Sequence, residues 1–205
     1  MRWWFPFLPI VATALQQGDM KCANLFGLET PLRNTDCSWS HPASYYIDAL
    51  AGRGFNWLRI PFSGEYVRNN DFRIMDDVFH SAEQHNISIL LDWHRNVNAQ
   101  QDTWLQNINI DDYLQLMKNI IARYASKPQL QAIGLFNEYQ GMDAAYWKNQ
   151  MDRVVRELEA TFPKRFVWVI GGYQWSGNHA GMDWSYLPFY DRIRYDIHKY
   201  IFSCP

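Results

Sequence analysis

The chain has 205 residues, 48% of them hydrophobic and 20% charged, with a formal net charge of −2. That length is ample for one packed domain and thin for two. A near-neutral balance offers no attraction to a nucleic-acid backbone or an anionic membrane surface, so neither is expected as a partner.

The N-terminus has the layout of a secretory leader. Arg2 supplies a positive end, an apolar run follows from Trp3 to Thr13, and Ala12-Thr13-Ala14 offers a small-x-small cleavage site. The run is too short to span a bilayer, and Pro6 and Pro9 oppose a stable helix. The expected division is therefore a signal peptide over 1–14 and a secreted domain over 15–205. In an oxidising compartment Cys22 and Cys37 are candidates for a disulfide closing a loop of about fifteen residues, worth roughly 3 kcal/mol in the chain-entropy view. Cys204 is then left over. Asn86-Ile87-Ser88 is a glycosylation sequon.

After the leader, short apolar runs alternate with amphipathic stretches. Cys22–Leu28 is the first run, and a helix is predicted from Ala43 to Arg53, capped near Ser40 or Ser44 and ended by Gly52 and Gly54. Phe55–Phe62 reads as a strand stopped by Pro61 and a turn at Ser63-Gly64. A helix over 71–85 follows, with Ile74, Val78 and Ala82 on one face. Ile87–Trp93 is a continuous apolar run, as a strand buried on both faces requires. The pattern then repeats: helix 111–125 with a stripe of Tyr113, Leu116, Met117, Ile120 and Ile121; strand 130–136; helix 143–161; strand 165–170. A looser stretch follows, and the last strand is 193–198.

Six strands joined by mostly helical crossovers describe βα units in a parallel α/β sheet, either open and doubly wound or a (β/α)8 barrel cut short. No Gly-x-Gly-x-x-Gly follows the first strand and no phosphate loop is present, which lowers the nucleotide-binding option and implies no cofactor. In parallel α/β folds reacting groups gather at the carboxyl ends of strands. Here Arg59, Asp92-Trp93-His94, Asn137-Glu138 and His198-Lys199-Tyr200 recur at those ends in successive units. A buried acidic or basic residue beside one strand is ordinarily just ion-paired. Recurrence at one end of several strands is not what chance would give.

These residues carry a family resemblance. GFNWLRIPF (Gly54 to Phe62), ILLDWHR (Ile89 to Arg95), IGLFNEYQG (Ile133 to Gly141) and IRYDIHKYIF (Ile193 to Phe202) resemble the strand 2, 3, 4 and 6 signatures of glycoside hydrolase family 5. KCANLFGLETP, from Lys21 to Pro31, is similar to the first-strand segment. The resemblance implies a TIM (β/α)8 barrel, incomplete at about six of eight βα units, built to cleave a β-linked glucan or mannan with retention. It implies that Glu138 is the acid/base, that Asn137 binds the sugar 2-hydroxyl, and that Arg59 orients the nucleophilic carboxylate. His94 and His198 would contact sugar hydroxyls or neighbouring carboxylates, Tyr200 would sit near the nucleophile, and Trp175 would form a subsite wall. Some of the ten Trp, twelve Tyr and twelve Phe would line a groove, because flat apolar sugar faces stack on aromatic rings.

A retaining mechanism needs a second carboxylate about 5–5.5 Å from the first. In the family it ends strand seven, and no residue here matches that position. Asp92 and Asp196 are the nearest substitutes, each needing a different geometry. The expectation is an enzyme design truncated after strand six, a fragment completed by a further segment or second chain, or a shortened barrel that binds glycans without cleaving them. A metal site using His94 and His198 lacks any supporting ligand spacing, so no metal is expected.

Overall fold

A computed structural model describes residues 19–30, 41–96 and 108–199. The signal-peptide, Cys37, Tyr200 and Cys204 readings lie outside these residues, and Cys22 is exposed at the start of the first strand.

Six parallel strands form one sheet in sequential order: β1 (Cys22–Asn24), β2 (Trp57–Ser63), β3 (Ser88–Arg95), β4 (Leu130–Gly134), β5 (Val167–Gly171) and β6 (Ile193–Asp196). Strictly sequential parallel order, with a helix in most crossovers, is the arrangement of a barrel wall. A doubly wound sheet instead reverses direction at a switch point. The sheet is an incomplete (β/α) barrel, curled so that residues of β2 reach those beyond β4.

The helices are α1 (Ala43–Ala51), α2 (Gly64–Arg68), α3 (Arg73–Gln84), α4 (Ile110–Tyr124) and α5 (Ala144–Thr161), with a 3₁₀ turn at Tyr190–Arg192. The stripe expected on α4 is buried in full: Tyr113, Leu116, Met117, Ile120 and Ile121. Val78 and Ala82 of α3 are buried beside Met75 and Phe79. One hydrophobic core joins these helix faces to Leu58, Ile60, Ile89, Leu91, Ile133 and Trp168 of the strands. None of the described helices is long and apolar enough to cross a membrane.

Three local expectations need correction. Pro61 does not stop β2, which pairs with β3 as far as Ser63. The backbone groups of Arg59 face β1, since the Arg59 carbonyl accepts from Leu25 N at 2.9 Å. Pro61, two residues on, faces the same side beyond the end of β1, where a missing N–H removes no ladder bond. Ser63-Gly64 is not an open turn but the start of α2, with Ser63 Oγ accepting from Tyr66 N at 2.9 Å. Pro42 stands at the N-cap of the first helix, without a side-chain bond, and Ser44 lies inside the helix; Ser40 lies outside the described residues.

Candidate active site

β4 ends at Gly134, so Asn137 and Glu138 lie just past the strand rather than on it. The segment nevertheless continues the line of the sheet: Leu135 N donates to Val169 O at 2.9 Å and Asn137 N to Trp93 O at 2.9 Å. Glu138 then takes a left-handed conformation, φ 49°. A non-glycine residue there costs roughly 1–2 kcal/mol and persists only where its surroundings over-determine it. Those surroundings are visible. Tyr139, the next residue, is buried and stacks on Trp147 of α5 with centroids 4.3 Å apart and planes 10° apart. The Trp147 indole donates to Gly171 O at 2.9 Å, tying that stack to the end of β5.

Below Asn137 lies a polar layer on the inner side of β2 and β3. Arg59 Nη2 meets Asp92 Oδ2 at 2.9 Å and donates to Asn137 Oδ1 at 2.8 Å. The same Asp92 oxygen lies 2.9 Å from His94 Nδ1. An ionised carboxylate only accepts, so Nδ1 carries hydrogen. In the neutral ring Nε2 is then left to accept from Asn137 Nδ2, at 3.4 Å. The amide of Asn137 is thus oriented at both ends. Asp92 is only 2% exposed, and Gly134 makes room for it: a Cβ there would stand 2.7 Å from Asp92 Oδ1.

On the other side, His198 follows β6 and places Nδ1 2.7 Å from Glu138 Oε1 and Nε2 3.1 Å from Asp196 Oδ2. Asp196, then Glu138, hold the imidazole as imidazolium and push its pKa up to about 9, against the opposing effect of burial. Burial alone would raise the Asp196 carboxyl, but the His198 bond and charge outweigh it and hold Asp196 below its ordinary range.

Arg59, His94, Asn137, Glu138 and His198 converge on one cavity of about 490 Å³, completed by Asn24, Phe26, Ile197 and Lys199. Trp175 is not among the lining residues. It is 45% exposed on a turn where Gln174, Trp175 and Ser176 all have positive φ. That turn is held by Trp175 N donating to Tyr139 O at 2.8 Å and by His198 N donating to Ser176 O at 3.2 Å. Phe26 escaped the sequence reading. It sits 39% exposed with its ring edge-on to His94, centroids 6.1 Å apart. An aromatic residue in an apolar run after a short strand reads as core, and only its place past the end of β1 could have marked it. Neither substitute nucleophile is free to act as one. Asp92 is ion-paired beneath the cavity, and Asp196 is separated from Glu138 by the imidazole ring of His198.

Among the described residues Glu138 is the only carboxylate lining the cavity, and no three His, Cys, Asp or Glu side chains gather into a metal-ligating group. What the arrangement offers is one carboxylate beside an oriented amide, an arginine and two histidines, in a cleft walled on one side by an aromatic ring.

An endoglucanase from Paenibacillus polymyxa is 25% identical over 86% of this chain and 54% of its own length, so the chain spans about half of that curated relative. An endocellulase from Pyrococcus horikoshii, solved with cellotetraose, superposes with a TM-score of 0.74 at 18% identity, over 87% of this chain and 62% of that one. The catalytic domain of the major endoglucanase of Xanthomonas campestris pv. campestris gives a TM-score of 0.75 at 22% identity, over 88% and 64%. At these identities the solved structures establish the barrel fold. The sequence profile described as Cellulase (glycosyl hydrolase family 5) matches residues 16–204, and by that match the chain belongs to glycosyl hydrolase family 5.

Proposed function

We propose that this chain carries the acid/base side of a retaining glycosidase site for a β-linked glucan of the cellulose type. The observation that carries the reading is Glu138, held in a left-handed conformation at the mouth of the strand-end cavity beside the doubly oriented amide of Asn137. As acid, Glu138 gives its proton to the glycosidic oxygen as the C1–O bond breaks; as base, it later takes a proton from the water that attacks C1. Asn137 would bind the sugar 2-hydroxyl, a contact that strengthens as positive charge develops at C1. Arg59 is the cation beside which a nucleophilic carboxylate would be held. Double displacement requires that carboxylate from outside the described residues. The endoglucanase and endocellulase relatives support a glucan over a mannan, and the leader-like sequence pattern of residues 1–14 supports secretion.

The test is hydrolysis of carboxymethyl-cellulose and mannan by the 205-residue chain and by a version extended through two further βα units. The extended version should release reducing ends, and Glu138→Gln should lower its rate by about 10³-fold or more. Equal rates in both versions, insensitive to Glu138→Gln, would overturn the proposal. Glu138 being the single lining carboxylate among the described residues favours one second reading, a barrel that binds glycans without cleaving them. In that case cello-oligosaccharide binding survives Glu138→Gln and no version hydrolyses.

A further inference from the structure

Asp-x-His occurs twice at matching places, as Asp92-Trp93-His94 on β3 and as Asp196-Ile197-His198 at the end of β6. Asp92 and His94 are residues i and i+2 of β3 and share a face, while Asp196 closes β6 and His198 follows it with the two side chains in contact. In each pair the carboxylate meets one imidazole nitrogen, at 2.9 Å on β3 and 3.1 Å on β6. The other nitrogen faces one member of the Asn137-Glu138 pair: His94 faces Asn137 at 3.4 Å and His198 faces Glu138 at 2.7 Å. One Asp–His support therefore stands under each of the two residues that the proposed reaction uses most.

We infer that Asp196 is a positioning residue for Glu138, acting through His198. The inference rests on the acid/base reading of Glu138. A histidine ring touched at one nitrogen alone can turn about its side-chain bonds. Anchoring Nε2 on Asp196 fixes the ring plane and aims Nδ1 at Glu138 Oε1. With Asp196 ionised, Nε2 donates to it, and Nδ1 is left to donate to Glu138 when that carboxyl is ionised or to accept from it when it carries the proton it delivers. The backbone supports the same geometry. Asp196 O accepts from His179 Nε2 at 2.9 Å, and β6 pairs with β5 as far as Gly171↔Asp196. The left-handed turn at 174–176 ties both partners together: Trp175 N donates to the carbonyl of Tyr139, next to Glu138, and Ser176 O accepts from His198 N.

The charges facing this ring come from several elements. Glu138 approaches from the segment beyond β4 and Asp196 from β6, while Arg59 of β2 and His179 act on Asp196. Lys199 turns away, its Nζ donating to Gly177 O at 3.0 Å. Asp196 is the largest of the influences that raise His198 to about 9. Its removal therefore lowers the midpoint toward the ordinary value, and the ring gives up its proton within the neutral range instead of above it.

The experiment is an NMR titration of the 205-residue chain carrying ring-labelled histidine and carboxyl-labelled glutamate, from about pH 5 to about pH 10. It compares wild type with Asp196→Asn and Asp196→Glu. In Asp196→Asn the His198 midpoint is expected to fall by at least about one pH unit, and the Glu138 carboxyl signal to move with it. Asp196→Glu, which restores the charge, is expected to return most of both. His94 serves as internal control. An Asp196→Asn chain with His198 unmoved overturns the inference, as does a shift of His198 that leaves the Glu138 signal in place. Equal displacement of His94 and His198 would mean general loosening, and also overturns it. The Glu138→Gln hydrolysis assay fails independently, so loss of the catalytic reading and loss of the positioning link are distinguishable.

Discussion

Arg59 serves two buried polar partners at once. Its guanidinium meets Asp92 at 2.9 Å and Asn137 at 2.8 Å, with side-chain exposures of 14% for Arg59 and 3% for Asp92. Removing one partner of a buried pair leaves the other charge uncompensated, at a cost of about 3–5 kcal/mol, whereas removing both can be nearly neutral. Arg59→Met is therefore expected to destabilise the chain by about 3 kcal/mol in urea denaturation. Adding Asp92→Asn should recover a substantial part, because the stranded carboxylate is then gone. A double-mutant cycle checks this, and strictly additive losses would show that the two side chains do not depend on each other. The residues at this scale were legible in the sequence to the extent that position along a strand decides them. Arg59, His94, Asn137, Glu138 and His198 could all be picked out because they fall at strand ends. Asp92 and Asp196 could be seen only as misplaced nucleophiles. Which layer of the barrel a residue occupies, and which imidazole stands over it, depends on register between strands far apart in sequence.

Arg165 shows how an element junction is held. Its Nε donates to Ala125 O at 3.0 Å, Nη1 to Leu130 O at 3.0 Å and Nη2 to Lys127 O at 2.7 Å. One guanidinium thus satisfies three carbonyls between the end of α4 and the first residue of β4, a stretch where helix termination leaves acceptors unpaired. Burial pushes the guanidinium pKa down, but arginine remains charged throughout the range in which proteins fold. Lysine keeps the charge and loses the fork, so Arg165→Lys cannot reach all three acceptors. The expected loss is about 1–2 kcal/mol, a fall in Tm of about 2–8 °C by differential scanning calorimetry. An unchanged Tm would mean that solvent or a rearranged turn replaces the clamp. Sequence periodicity located α3, α4 and α5 because each buries a regular stripe. It did not locate α2, a helix of five residues whose start depends on the Ser63 cap and on Gly64 lying against the ring of Trp93. Five residues are too few to express a period.

At the scale of the whole molecule, alternation predicts parallel βα units, and the sequential order β1 to β6 in the structure is what separates a barrel wall from a doubly wound sheet. Each strand is followed by enough chain for a crossover, and right-handed crossovers laid in sequence bend one way. What alternation cannot convey is how firmly each strand is held. Among the described residues β2, β3, β4 and β5 have hydrogen-bonded neighbours on both sides, while β1 and β6 each have one. β1 is also only three residues long and exposed at both its ends, and β6 has one buried residue in four. Amide protection tracks the free energy of the smallest opening that frees a group, which is lowest where few apolar contacts and few ladder bonds must break. Native-state hydrogen exchange of the 205-residue chain is therefore expected to rank β3 and β4 slowest, β2 and β5 next, and β1 and β6 fastest. The ranking matters for the site, because His198 and Asp196 belong to the β6 end while Asn137 and Glu138 follow β4. The two halves of the candidate relay would then differ in local stability, and Glu138 would lose its imidazole partner in openings that leave its own segment in place. β6 amides exchanging as slowly as those of β3 would overturn this picture. They would show that β6 is held by contacts beyond its pairing with β5.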